Sequence, residues 1–141
     1  MANIAKITDS YSVSSQPTVD DFAQIAADGF KTVINFRPDG EKPGYLDAHA
    51  AEELAKANNL SYYHIPVPVN GLTHGHIVEL KKILSDTDQP VLAHCGTGKR
   101  ASIVWAFANA TDGDIDDIVG CCAKAGHDIS PLRPQLQQMQ S

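Results

Sequence analysis

The sequence predicts an α/β fold: a mostly parallel central sheet of four or five strands, flanked by helices. Short β-branched runs alternate along the chain with stretches of helical period. Two of these runs, residues 32–36 and Val91–His94, are short and apolar, as central parallel strands covered on both faces are. No internal repeat, low-complexity block or linker-like stretch divides the 141 residues, so a single α/β domain over residues 1–141 is expected.

Each element has local grounds. Ile4–Thr8 and Tyr11–Ser14 read as the opening strands. Thr18-Val19-Asp20-Asp21 reads as a capping box, followed by Phe22, Ile25 and Ala26 on one helical face and Gly29 as the stop. Residues 32–36 are the third strand. Leu46, Ala50 and Leu54 recur every four residues and mark the next helix, and residues 62–66 the fourth strand. Ile77, Leu80 and Leu84 mark a helix that ends before Pro90, and Val91–His94 is the fifth strand. Residues 102–108 have helical character. Asp114 is placed to cap a helix bearing Ile115, Ile118 and Cys122, with Gly126 as its C-terminal stop. Ser130-Pro131 reads as an N-cap followed by proline at the first helical position.

Composition narrows the function classes. Apolar residues make up 43% of the chain and charged residues 20%, which excludes a disordered polymer. Seventeen acidic side chains against eleven basic ones give a net charge of −6. Such a protein repels phosphate backbones and anionic surfaces, so neither nucleic acid nor membrane is expected as a partner. A bound anion must therefore be held by a local site against the overall field. No stretch approaches the ~20 apolar residues of a membrane span, and Met1 to Asp9 has no apolar core of signal-peptide length. Cys95, Cys121 and Cys122 are an odd count with two adjacent, which is no disulfide framework. A cytoplasmic location is expected.

The chemistry is carried by His94-Cys95-Gly96-Thr97-Gly98-Lys99-Arg100. A strand, a glycine-bearing loop and a helix start present several backbone N–H groups to one anion. The two glycines allow the backbone angles this needs. The helix N-terminus adds partial positive charge, and Arg100 can fork onto two ligand oxygens. Convergent N–H groups, Lys99 and Arg100 favour a thiolate at Cys95, making it the candidate nucleophile. Ala101 and Ser102 complete the anion-binding loop. His94 is expected to support it by hydrogen bonding to backbone. A nucleotide-binding P-loop is excluded: Arg100 stands at the Ser/Thr position and Ala93 at the first glycine.

Other residues carry less. Arg37, Asp39 and Glu41 follow the third strand at its carboxyl end, where α/β sheets place their sites. Arg37 is expected to support the anion site, and the two acids to belong to a solvated, ion-paired loop. His64, His74 and His76 lack a firm fourth ligand, so neither a metal nor another cofactor is expected. Cys121 and Cys122 diverge on a helix and read as packing, as do Trp105 and Phe107.

His94-Cys95 followed by glycine, a basic residue and a helix resembles the signature of cysteine-dependent phosphatases of the dual-specificity kind. Ser15-Gln16-Pro17, the run from Gly29 to Asp39, Tyr63-His64-Ile65-Pro66-Val67 and Ala125-Gly126-His127-Asp128 are similar, in order, to the β-lactamase-hydrolase-like phosphatase-like family. This resemblance implies a protein-tyrosine-phosphatase-like fold, with Cys95 as nucleophile and Arg100 as oxyanion binder. Relatives of that family can be joined to metallo-β-lactamase-like domains, which implies a persulfide-oxidising partner enzyme.

Two departures from the phosphatase pattern bear on the reaction. The phosphatase signature has five residues between cysteine and arginine. Here there are four, the length found in rhodanese-type sulfurtransferases, and Ala101 stands where the phosphatase arginine would be. Phosphatases also take a proton for the leaving group from an aspartate some thirty residues before the cysteine. That region, residues 66–76, holds no carboxylate, only His74 and His76 as substitutes. Loss of such an acid costs about 10²–10⁴-fold on poor leaving groups. Sulfur transfer releases a stable sulfite or thiolate and needs no acid. The sequence therefore reads first as a sulfurtransferase, with Cys95 taking sulfur from thiosulfate or a persulfide as Cys-S-SH. The alternative is a phosphatase acting on a phosphoester through phosphocysteine, and the third reading is a non-catalytic anion-binding module.

Overall fold

The computed structural model describes residues 3–140. In chain order it shows β1 (Ile4–Thr8), β2 (Tyr11–Ser14), α1 (Asp21–Ala27), β3 (Thr32–Asn35), α2 (Ala48–Ala57) and β4 (Ser61–His64). There follow α3 (His74–Asp86), β5 (Val91–His94), α4 (Lys99–Ala110), α5 (Ile115–Lys124), a 3₁₀ turn (Ser130–Leu132) and α6 (Arg133–Gln138). The five strands form one sheet in the order β1-β2-β5-β3-β4. β1 pairs antiparallel with β2, and the other pairings are parallel. Parallel neighbours need crossovers, and α1, α2 and α3 supply them. The expected α/β architecture is present, with five strands.

Strand periodicity sorts the core into two layers. Val33 and Leu92 point to one face and pack with Phe22, Ile25, Ala51 and Ala55 of α1 and α2. Ile34 and Ala93, one residue on, point to the other face and join Leu80, Val104, Trp105 and Ile118 from α3, α4 and α5. Trp105 lies in this core as expected, its ring 6.1 Å from that of Tyr11.

Several boundaries differ from the sequence reading, each for a local reason. β3 ends at Asn35 and β4 at His64, although the Phe36 and Ile65 amides still bond to His94 and Asn35 carbonyls. At α1 no reciprocal capping box forms: the Thr18 hydroxyl and amide both donate to the Asp21 carboxylate, and Asp20 is the cap residue. The 3₁₀ turn starts at Ser130 itself, with Ile129 before it. α4 begins at Lys99, three residues earlier than expected, because Gly98 (φ 100°) turns the chain directly into the helix. That early start puts Arg100 in the first helical turn.

In the parallel core of the sheet, His94 is in register with Ser14 on one side and Asn35 on the other. The loops leaving β2, β3 and β5 therefore emerge together at the carboxyl end of the sheet.

Candidate functional site

Cys95 leaves β5 at that edge and has no exposed surface. Its side chain still addresses the loop: the Gly98 N–H donates to Sγ at 3.1 Å. The bond depends on the left-handed backbone of Gly98, which also brings that residue against the end of β2 and the turn that follows α5. A Cβ there would lie 3.3 Å from the Ser14 carbonyl oxygen and 3.1 Å from Nε2 of His127. The first amides of α4, which begins at Lys99, have no carbonyl a turn earlier to bond to.

Around this turn the predicted loop residues divide by direction. Thr97 is exposed and its hydroxyl accepts from the Lys99 amide. Lys99 is exposed too, and its charge acts on His127 and Asp128. Ala101 is fully buried; its carbonyl accepts from the Tyr11 hydroxyl at 3.0 Å, which ties α4 to β2. Ser102 donates back to the Gly98 carbonyl at 2.9 Å, bracing the loop from beneath. Gly96 faces the arginines: a Cβ there would stand 3.4 Å from Nη2 of Arg100 and 3.9 Å from Cζ of Arg37.

Arg100 donates through Nη1 to the Val67 carbonyl (2.8 Å) and to Oε2 of Glu41 (2.7 Å), and through Nη2 to Oε1 of Glu41 (2.8 Å). Its pKa is raised, first by the hydrogen bonds to Glu41 and then by Cys95 as well, against the effect of burial. The guanidinium is bonded to the Glu41 carboxylate, and the charge of the Cys95 sulfur acts on it as well. Arg37 donates through Nε to the same Glu41 oxygen Oε1 at 3.0 Å. Both arginines hold the Glu41 carboxyl below the usual carboxylate range, Arg100 most.

Arg37 is fixed on every side. Its amide donates to Asn35 Oδ1 and its carbonyl accepts from Nε2 of His64, each at 2.8 Å. Nη1 donates to Gln16 Oε1 at 3.2 Å, and the guanidinium lies 4.3 Å over the Tyr45 ring. Beside it, a cavity of about 220 Å³ is lined by Gln16, Asn35, Arg37 and residues 38–47, without any of Gly96–Arg100.

His94 is fully buried, and burial drives its pKa down to about 3, so the ring is neutral. Neither ring nitrogen meets a hydrogen-bond partner among the described residues. The Cys95 backbone still acts on the ring, raising its pKa against the larger effect of burial, and His94 fills the carboxyl end of β5. His76 caps α3: its Nδ1 accepts from the Thr73 amide at 3.0 Å, while the Thr73 hydroxyl accepts from the His76 amide. His64, His74 and His76 do not converge; among the described residues the one trio of metal-ligand type is His49, Glu52 and Glu53 on α2, with Glu52 half-buried and the other two exposed. Cys122 is buried against α4, its thiol pushed up to about 12 by that burial, while Cys121 is half exposed.

Two site residues escaped the sequence reading. Glu41 looked like part of a solvated loop, yet it bridges the two arginines; Asp39, beside it, instead accepts from the Ala48 amide at the start of α2. Two guanidinium groups in one site call for a counter-charge, and Glu41 is within reach of Arg37 by sequence alone. His127 had no local signal, because its neighbour Gly98 comes to it only through the packing of α5 on α4.

Comparison with known proteins places this geometry in context. Residues 3–112 match the family described as "Beta-lactamase hydrolase-like protein, phosphatase-like domain", and Ala125–Asp128 lie beyond the matched part. Beta-lactamase hydrolase-like proteins of Xylella fastidiosa and Agrobacterium fabrum are 33% and 34% identical over 110 residues. The match takes in 78% of this chain but 26% of those proteins, so it spans about a quarter of their length. A crystal structure from Neisseria meningitidis, provisionally described as a phosphatase, superposes with a TM-score of 0.87 at 29% identity, covering 96% of this chain and 97% of that one. The catalytic core of a PP-IP phosphatase from S. cerevisiae, in complex with citrate, shares the fold at a TM-score of 0.70 and 16% identity, over 98% and 85% of the chains. With its phosphatase-like fold and a cysteine and arginine flanking one loop, the chain belongs to the beta-lactamase hydrolase-like family's phosphatase-like domain.

Proposed function

We propose that the protein is a cysteine-dependent phosphatase for phosphoesters or phosphoanhydrides whose leaving group departs without a proton. The carrying observation is the placement of Arg100 on the first turn of α4, its guanidinium over Gly96 next to Cys95 and already holding a carboxylate anion, Glu41. The phosphatase-described relatives support this reading over sulfur transfer. In the reaction the Cys95 thiolate attacks phosphorus and the leaving oxygen departs with the P–O electron pair. Water then attacks the phosphocysteine, releasing inorganic phosphate and the thiolate, with its proton passing to solvent. Arg100 and the α4 amides stabilise the equatorial oxygens. The restriction to stable leaving groups follows from residues 66–76, which offer Arg100 a carbonyl at Val67 and no carboxylate.

Sulfur transfer is the second reading, favoured by the four-residue spacing of Cys95 and Arg100. There the thiolate attacks the outer sulfur of thiosulfate, the S–S bond breaks, and sulfite leaves with the electron pair. An acceptor thiolate or cyanide then takes the sulfur from Cys-S-SH. This reading calls for a persulfide-oxidising partner enzyme, and either one suits a cytoplasmic, reducing setting in which the three cysteines stay free.

One set of assays separates them. Hydrolysis of p-nitrophenyl phosphate that disappears in Cys95→Ser, with no thiocyanate formed from thiosulfate and cyanide, supports the phosphatase. Thiocyanate formation that requires Cys95, without phosphate release, replaces it with the sulfurtransferase. Sulfate binding with neither turnover leaves an anion-binding module.

A further inference from the structure

Glu41 raises a question that the reaction does not answer. Both of its oxygens are spent on guanidinium groups, three bonds of 2.7 to 3.0 Å in all. This is the arrangement a tetrahedral oxyanion would adopt between the same two arginines. The nearby nucleophile has no exposed surface, so some of its surroundings must move before a substrate reaches Sγ. What must move is indicated by how each is held. The Arg37 backbone is held by Asn35 and His64 and its guanidinium by Gln16 and Tyr45, while the Arg100 guanidinium is held by Val67. Glu41 sits on a loop between Gly40 (φ 82°) and Gly44 (φ 88°), both with open space around them.

We propose that Glu41 is an exchangeable internal anion: its carboxylate closes the cradle between Arg37 and Arg100 at rest and is displaced by the substrate's oxyanion. The site then selects ligands with enough charge to replace a carboxylate across two guanidinium groups, which favours phosphate or thiosulfate dianions over monoanions. Apparent affinity is reduced by the fraction of molecules in which the carboxylate is in place. The inference rests on Cys95 and Arg100 forming an anion-processing site, and its readout is binding, so it stands or falls separately from turnover.

The test is calorimetric titration of the full chain with inorganic phosphate, alongside the rate of Cys95 alkylation by iodoacetamide followed by mass spectrometry. Glu41→Gln keeps the shape and removes the charge. It is expected to bind phosphate about tenfold more tightly than wild type and to alkylate faster at Cys95. Glu41→Asp, one methylene shorter, is expected to fall between the two. Unchanged or weaker phosphate binding in Glu41→Gln overturns the proposal and makes the carboxylate a brace for Arg100. Unchanged phosphate affinity with slower hydrolysis of phenyl phosphate, but not of p-nitrophenyl phosphate, also overturns it and makes Glu41 a proton donor. Tighter phosphate binding with no hydrolysis in any protein removes the phosphatase reading and upholds the exchange.

Discussion

The Gly98 amide hydrogen bonds to the Cys95 sulfur across 3.1 Å, and that contact exists because residue 98 has a left-handed backbone. A side chain at this position meets two obstacles, the positive φ and the neighbouring His127 ring and Ser14 carbonyl. Gly98→Ala is therefore expected to lose about 1–3 kcal/mol of stability in urea unfolding. Its turnover of the preferred substrate should fall as well, since the amide is turned off the sulfur. Wild-type stability together with wild-type kcat would show that the loop does not rely on this conformation.

Arg100→Lys keeps the charge and loses the fork. Lysine cannot bond both an anion and the Val67 carbonyl from two coplanar nitrogens. A fall in kcat/KM of about 10²–10³ is expected, with unfolding little changed, because the transition state loses a bidentate partner. Steady-state kinetics and a urea titration on the same preparation check both halves.

His76 offers a cleaner separation of structure from chemistry. It completes the capping box of α3 with Thr73. His76→Ala is expected to cost about 0.5–1 kcal/mol of stability while leaving kcat on p-nitrophenyl phosphate unchanged. A large loss of kcat, confined to substrates with poor leaving groups, would instead make His76 the missing acid.

His94 sets an acid limit on stability. Its folded pKa is depressed to about 3 by burial, from an ordinary value of 6.5. An unfolded chain takes up a proton on this ring as pH falls through 6.5, and the folded chain does not. The stability of the neutral buried ring is thus complete above pH 6.5 and drains away toward pH 3, by up to about 1.4 kcal/mol per pH unit. Urea unfolding at intervals between pH 7 and pH 4 should show this slope in wild type, and His94→Gln should lack that part of it.

Much of this architecture is written in local patterns. The strands at Tyr11–Ser14 and Val91–His94, the Asp114 cap and the Gly126 stop each depend on residues within a turn or two of one another, and all lie where expected. The loop from Cys95 to Arg100 is legible for the same reason: its glycines, nucleophile and cation are consecutive. Contacts made by folding are another matter. Glu41 and Arg100 are 59 positions apart, and only the meeting of the β3 and β5 loops brings them together. Gln16 reaches Arg37 from the end of β2 in the same way, which gives the Ser15-Gln16-Pro17 stretch a physical role. The start of α4 is not legible locally: Lys99 and Arg100 read as loop cations, whereas the left-handed Gly98 sets where the helix begins.

Complete enclosure of the Cys95 sulfur also bears on how the protein survives between encounters. Peroxides and other diffusing oxidants attack thiolates they can touch, and each further oxygen added makes recovery harder. Under the proposed exchange of Glu41 for a ligand anion, this sulfur spends its idle time out of their reach. Chemical longevity and selectivity for the ligand then come from the same closed door.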